Sequence, residues 1–266
     1  ARTIDLAGAQ GTVSVRPGKG DALEATVRFP KLSALPAIIA RLRRVFDLAA
    51  DPPVIAAHLS EDAHLAPLVA ARPGLRVPGA WDGFELAVRA ILGQQITVQA
   101  AIILAGKLAA TYGERLSDAT AIPGKLTHLF PRPERLAGAQ ITGMPGARAR
   151  ALTSLAAAVA ADPQIFGARR GLDDAIAQLC KLPGIGEWTA QYIAMRELRE
   201  PDAFPAADIG LMRAMADAKG TRPTPAQLLK RAEGWRPWRA YAAQHLWASH
   251  VPLGKPKIEN LKVAAE

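Results

Sequence analysis

The residues best suited to chemistry lie in Leu182-Pro183-Gly184-Ile185-Gly186, followed at once by Glu187-Trp188-Thr189-Ala190. Helical spacing stops near Leu179 and resumes at Trp188, so both glycines fall in a tight turn between two helices. Glycine adopts backbone conformations that a Cβ forbids and lets another backbone come close. The first N–H groups of the second helix have no acceptor within it, so they form a site for an anion such as a phosphate. A contact of that kind positions a strand without reading its sequence. The plainer alternative is a helix–turn–helix corner in a bundle. Further along, Phe204-Pro205-Ala206-Ala207-Asp208-Ile209-Gly210-Leu211 places a carboxylate just before another helical pattern. Taken alone, Asp208 reads as an N-cap.

Other chemistries find little support. The five histidines (58, 64, 128, 245 and 250) lack H-E-x-x-H or similar metal spacing, so no metal or cofactor is expected. His58 and His64, beside Glu61 and Asp62, read as solvated surface on a loop-like stretch. Pro123-Gly124-Lys125-Leu126 lacks the glycine spacing and hydroxyl residue of a nucleotide-binding loop. Arg148 with Arg150, Arg169 with Arg170, and Arg236 with Arg239 read as solvated faces, the first pair also suiting a DNA backbone. Of the five tryptophans, Trp81, Trp235 and Trp238 read as packing, whereas Trp188 and Trp247 suit packing or a pocket equally. A single cysteine, Cys180, excludes a disulfide framework and a four-cysteine cluster.

The elements that must position these residues change character along the chain. Segments 11–16 and 23–29 alternate apolar and polar residues about Pro17-Gly18-Lys19-Gly20-Asp21, which predicts a β-hairpin. From Ser33 the period becomes helical, and Asp51-Pro52-Pro53 is expected to stop that helix. After Trp81 the pattern is helix and loop throughout. Helices are expected at 84–92, 98–112, 146–161, 173–179, 188–198, 209–218, 225–232 and 238–250, with Gly93-Gln94-Gln95 as a turn and a loose tail after Gly254.

The chain has 266 residues and a net charge of +9, with half its residues apolar. That is globular composition, and the positive balance suits a polyanion. Apolar runs are too short to span a membrane, and no signal peptide is visible. A soluble intracellular protein is the expectation. The start at Ala1, without Met, suggests a processed chain or a fragment of a longer protein.

The order of these motifs resembles the helix-hairpin-helix (HhH-GPD) DNA glycosylase superfamily over 81–250, most of all its 3-methyladenine DNA glycosylase II branch. The resemblance is carried by Ala71-Arg72-Pro73-Gly74-Leu75-Arg76-Val77-Pro78-Gly79, Arg89-Ala90-Ile91-Leu92-Gly93-Gln94-Gln95, the hairpin, Asp208, and Trp235-Arg236-Pro237-Trp238-Arg239-Ala240-Tyr241. It implies a mainly α fold with a small N-terminal α+β domain. The expected domains are 1–58, α+β and abbreviated; 83–200, central, with the hairpin; and 59–82 with 201–266, carrying the aspartate, with a cleft between the two helical parts.

By the same resemblance Asp208 is the catalytic carboxylate, because breaking an N-glycosidic bond builds positive charge on the sugar. Trp188, Tyr192 and Trp247 match base-pocket positions. Leu182, Pro183, Gly184, Ile185 and Gly186 form the phosphate-binding hairpin. Gln95, or alternatively Ile96, would fill the hole left by a flipped nucleotide. Relatives that also cut the strand carry a Schiff-base lysine where this chain has Trp188, and Lys181 lies before the hairpin. The implied enzyme is therefore a monofunctional glycosylase that excises alkylated bases from double-stranded DNA and leaves an abasic site. It would act without a cofactor, as a monomer, in a bacterial-type cytoplasm. Glu187 departs from the pattern, since its charge opposes phosphate binding. A glycosylase for deaminated or oxidised bases and a non-catalytic DNA-binding module are the alternatives.

Overall fold

The computed structural model describes residues 1–6, 8–117, 126–167 and 171–251. The turn at 123–126, except Leu126, the arginines at 169 and 170, and the tail after Gly254 lie outside them. Strands β1 (Arg2–Leu6), β2 (Ala9–Pro17) and β3 (Leu23–Arg28) form one antiparallel sheet in the order β1-β2-β3. The hairpin is the expected one, with Val13 opposite Val27 and Val15 opposite Ala25. Strand β1 was not expected. It pairs with the far edge of β2, Ile4 opposite Gly11, and buries Ile4 beside Val13.

Twelve α-helices follow among the described residues. The first is α1 (Leu35–Val45). Asp51, Pro52 and Pro53 do not end it; Asp51 caps α2 (Pro52–Leu59), its side chain accepting from the Val54 N–H at 3.3 Å. Proline fits a first helical turn because its missing N–H would be unpaired there anyway. Next come α3 (Ala66–Ala71), α4 (Gly83–Leu92), α5 (Val98–Tyr112), α6 (Pro133–Ala137) and α7 (Gly146–Ala161). Helix α6 was not foreseen; Pro133 opens it. After α8 (Leu172–Leu179) and α9 (Glu187–Ile193), the chain widens into a π-helical turn, Ala194–Leu198. The last three are α10 (Ile209–Ala214), α11 (Pro225–Ala232) and α12 (Arg239–Ser249). Helix α10 stops four residues short of expectation. The Asp217 side chain accepts from the N–H groups of Lys219 and Thr221, giving the backbone a turn instead.

The described residues divide into two compact units, one within 1–40 and 92–161 and the other within 41–91 and 162–251. The first holds the sheet and α5–α7. In the second, Ile55, Leu59, Leu65 and Val69 from the α2–α3 region pack with Phe204, Leu211, Trp235 and Leu246. Trp235 meets Phe204 edge-on at 5.8 Å and donates its indole N–H to Asp62 at 2.9 Å.

Asp62 and His64 lie on the turn between α2 and α3, but neither they nor His58 are fully solvated. His58 lies on α2, His64 bonds the Ala214 carbonyl oxygen at 3.2 Å, and both are half-buried. Arg239 is also no solvated residue. It is buried, and its guanidinium reaches Asp202 at 2.7 Å and Glu233 at 3.2 Å. Burial raises the Asp62 carboxyl, but hydrogen bonds from Arg231, Trp235 and the His64 backbone outweigh it and hold the group at about 2. The folded value lies below the ordinary 3.8, so this contribution is present above pH 3.8 and fades as pH falls towards 2. Asp62→Asn should cost about 1–2 kcal/mol at pH 7, discounted because Arg231 is half exposed. Denaturant melts should show the difference from wild type shrinking below pH 4; a constant difference down to pH 2 would refute the linkage.

Candidate active site

Asp208 ends a compact loop. The Ala206 N–H donates to the Phe204 carbonyl oxygen at 2.9 Å, and the Asp208 N–H to that of Pro205 at 2.9 Å. The side chain of Gln191 on α9 accepts the Phe204 N–H at 2.9 Å, tying the loop to that helix. Asp208 then caps α10, its Oδ1 accepting from the Leu211 N–H at 2.9 Å. The N-cap reading of this residue is therefore correct as local structure.

The same carboxylate holds two more donors. Trp188 Nε1–H donates to Oδ2 at 2.9 Å, and Trp247 Nε1–H donates to Oδ1 at 2.9 Å. Trp188 and Tyr192 are stacked, with centroids 5.4 Å apart and planes 7° from parallel. Tyr192 meets Trp247 edge-on at 6.5 Å. Four residues expected in one site thus form a single cluster in one unit, all half-buried. An ionised carboxylate has about four acceptor positions, and three are filled here. What remains is a fixed negative charge beside aromatic faces, suited to stabilising positive charge.

Three contributors to this geometry were not foreseen. Gln191 is one, and Arg196, bonded to the Tyr192 hydroxyl at 2.6 Å, is another. Its spacing of four from Tyr192 was the available signal. The third is Gly210. A Cβ there would lie 2.9 Å from Asp208 Oδ1 and 3.2 Å from Trp247 Cδ1. Gly210→Ala should change global stability by no more than about 1 kcal/mol, since alanine favours a helix, yet displace the Trp247 indole. The Trp247 Nε1–H resonance should shift by NMR; an unmoved resonance would show that the close approach is slack.

In the hairpin, the Leu182 N–H donates to the Leu179 carbonyl oxygen at 3.0 Å and the Ile185 N–H to that of Leu182 at 3.1 Å. Gly184 turns the chain at φ +82°, a left-handed conformation that favours glycine. Ile185 is buried and anchors the loop, while Pro183, Gly184 and Gly186 are exposed. No side chain caps α9 at Gly186, and Glu187 is exposed at its first turn. Beside α9 lies a cavity of about 220 Å³, lined by Glu187, Trp188, Gln191, Pro205 and Leu229 among others. Asp208, Tyr192 and Trp247 are not in its wall, and it is smaller than the ~300 Å³ usual for a ligand pocket.

In the other unit, Gln95 is exposed and left-handed at φ +59°, and Ile96 is half-buried. The turn is pinned by Arg148, whose Nη2 donates to the Gln94 carbonyl oxygen at 2.6 Å. Among the described residues, no group of three or more His, Cys, Asp or Glu side chains could hold a metal ion. No helix among them is long and apolar enough to cross a membrane.

Two family models match the sequence. Residues 1–82 match the AlkA N-terminal domain, and 88–240 match the HhH-GPD superfamily base excision DNA repair protein. The chain is 40% identical over 250 residues to a "Probable bifunctional transcriptional activator/DNA repair enzyme AlkA" of Mycobacterium tuberculosis. That alignment covers 93% of this chain and 49% of the relative, so the chain spans about half its length. It is 39% identical over 214 residues to DNA-3-methyladenine glycosylase 2 of Escherichia coli, covering 79% of this chain and 70% of that one. In fold it is similar to a 3-methyladenine DNA-glycosylase from Archaeoglobus fulgidus, with a TM-score of 0.76, 20% identity, and coverage of 93% and 85%.

Proposed function

The chain belongs to the HhH-GPD superfamily of base excision DNA repair proteins, and we propose that it is a monofunctional DNA glycosylase for alkylated bases. The observation that carries this reading is the convergence of Trp188 and Trp247 on the Asp208 carboxylate, with Tyr192 against both rings. An N-alkylated purine is positively charged and leaves readily, so a strong general acid is not required. Asp208 stabilises the cationic sugar as the glycosidic bond breaks. With three N–H donors already on it, its contribution is its charge more than proton abstraction. A cationic base over an aromatic ring gains about 1–2 kcal/mol, which offsets part of the few kcal/mol needed to unstack it from the duplex.

The hairpin 182–186 grips one phosphate through backbone N–H groups, and Gln95, with Ile96 as the alternative, fills the gap in the stack. The division into 1–58, 83–200, and 59–82 with 201–266 belongs to the same proposal, as do monomeric action and a cytoplasmic setting. Trp188 has no amine with which to attack the sugar, so no strand cleavage follows base release.

The test is to incubate the protein with a duplex holding one N-alkylated purine. Alkali-labile abasic sites should appear, and the strand should stay intact until alkali is added. Cleavage without alkali would contradict the monofunctional assignment. Binding without release of any alkylated, deaminated or oxidised base would favour a DNA-binding module.

A further inference from the structure

Trp188, Tyr192 and Arg196 are four residues apart, so they follow one another along a single helical face. Trp188 stacks on Tyr192 from the N-terminal side. Arg196 approaches from the C-terminal side, its guanidinium carbon over the Tyr192 ring at 5.3 Å from the centroid. It is held there by three contacts. Nη1 donates to the Tyr192 hydroxyl oxygen at 2.6 Å, Nε donates to the Pro78 carbonyl oxygen at 2.8 Å, and the cation faces the ring. The backbone fixes it too. Arg196 sits within the π-helical turn Ala194–Leu198, which ends at the left-handed Arg199. Arg199 is bonded to Asp47 and, at 2.9 Å, to the Arg44 carbonyl oxygen. Tyr192 therefore already carries a resident cation.

We propose that Arg196 is a specificity-determining residue that sets how strongly the aromatic cluster prefers a positively charged base over a neutral one. The inference rests on the glycosylase reading above. Aromatic rings attract cations through their quadrupole, and a guanidinium fixed on Tyr192 uses part of that attraction. It also repels a second cation brought to the same cluster, while a neutral base feels no such repulsion. Arg196 thus lowers the preference for cationic bases and widens the range towards neutral ones. It acts through charge and through Tyr192, not by touching the reacting atoms.

The experiment compares kcat/KM for duplexes holding one N7-methylguanine, which is cationic, or one hypoxanthine, which is neutral. In Arg196→Gln the cationic-to-neutral ratio should rise three- to tenfold over wild type, and in Arg196→Lys it should stay within twofold. Tyr192→Phe keeps the ring but removes the oxygen that holds the guanidinium, so its ratio should rise by a smaller factor. This variant also carries the test should Arg196→Gln not fold, as judged by thermal melting. A purely structural role would lower both substrates together and leave the ratio unmoved, which overturns the inference, as does a falling ratio. A wild type that releases no damaged base of any kind overturns the glycosylase reading and this inference with it; release of other damaged bases but neither of these, or of both with an unmoved ratio, overturns this inference alone.

Discussion

Asp208→Asn should lower base release by about 10²–10⁴-fold while leaving the fold and DNA affinity intact. Asparagine is as good an N-cap as aspartate, so α10 keeps its first turn. The amide oxygen belongs at the Oδ1 position, where it still accepts from the Leu211 N–H and Trp247 Nε1–H. The amide nitrogen then faces Trp188 Nε1–H, which loses its 2.9 Å acceptor. The variant removes the negative charge and one hydrogen bond while keeping volume and cap. By NMR, the Trp188 indole N–H should shift more than that of Trp247. Base release would be followed as alkali-labile sites, and binding by titration of the same duplex. Equal release by variant and wild type would remove Asp208 from the chemistry. Loss of binding together with release would place Asp208 in the grip on DNA instead of the chemistry, and a melt within about 1 kcal/mol of wild type would show that the fold is kept.

The second large effect concerns the buried charge behind the site. Asp47 is 1% exposed and follows α1 in a left-handed conformation, φ +52°. Its carboxylate pairs with Arg199, accepts the Tyr241 hydroxyl at 2.7 Å and accepts the Val77 N–H at 3.3 Å. Burial first, then the hydrogen bond to Asp47 and its charge, push the Tyr241 phenol well above its ordinary range. Asp47→Ala leaves a cation, a hydroxyl and an amide without their acceptor. Breaking one side of such a pair costs about 3–5 kcal/mol, and alanine adds strain at a positive φ. Asp47→Asn keeps an acceptor and tolerates that backbone conformation, so it should lose less than half as much. Urea melts at pH 7 would measure both. A loss below about 1 kcal/mol for Asp47→Ala would show that Arg199 finds another partner and that the network is dispensable.

These two sites differ in how far the sequence revealed them. Asp208 was legible locally as an N-cap, and as a catalytic candidate only through the resemblance carried by the hairpin one helix before it. Trp188 and Trp247 were legible only as residue types, equally suited to packing or to a pocket. Asp47, Arg199 and Tyr241 gave no signal, because a buried pair between positions 152 residues apart leaves no period in either segment. Arg239 was misread for the same reason. Polarity suggests exposure until a distant partner such as Asp202 satisfies it.

The helices were the most readable part. Helices α5, α7 and α11 begin and end where spacing, caps and prolines place them, since those signals act within a turn or two. A boundary failed where a side chain competed with the helix for its neighbours' backbone N–H groups. Asp217 ends α10 early by accepting from Lys219 and Thr221, whereas the helix expected over 188–198 does run to Leu198, its last turn being π-helical and closed by the left-handed Arg199. Strand β1 was missed because an edge strand is defined by the strand beside it. The mainly helical class, the hairpin and the aspartate that caps the next helix are each written in neighbouring residues. Packing of the folded chain is what brings two indole N–H groups to that aspartate, leaves room for them at Gly210, and holds Arg196 on Tyr192. The indole contacts join side chains 20 and 39 residues apart, which local spacing does not encode; a spacing of four brings Arg196 near Tyr192, but only the Pro78 carbonyl and the widened turn fix it there.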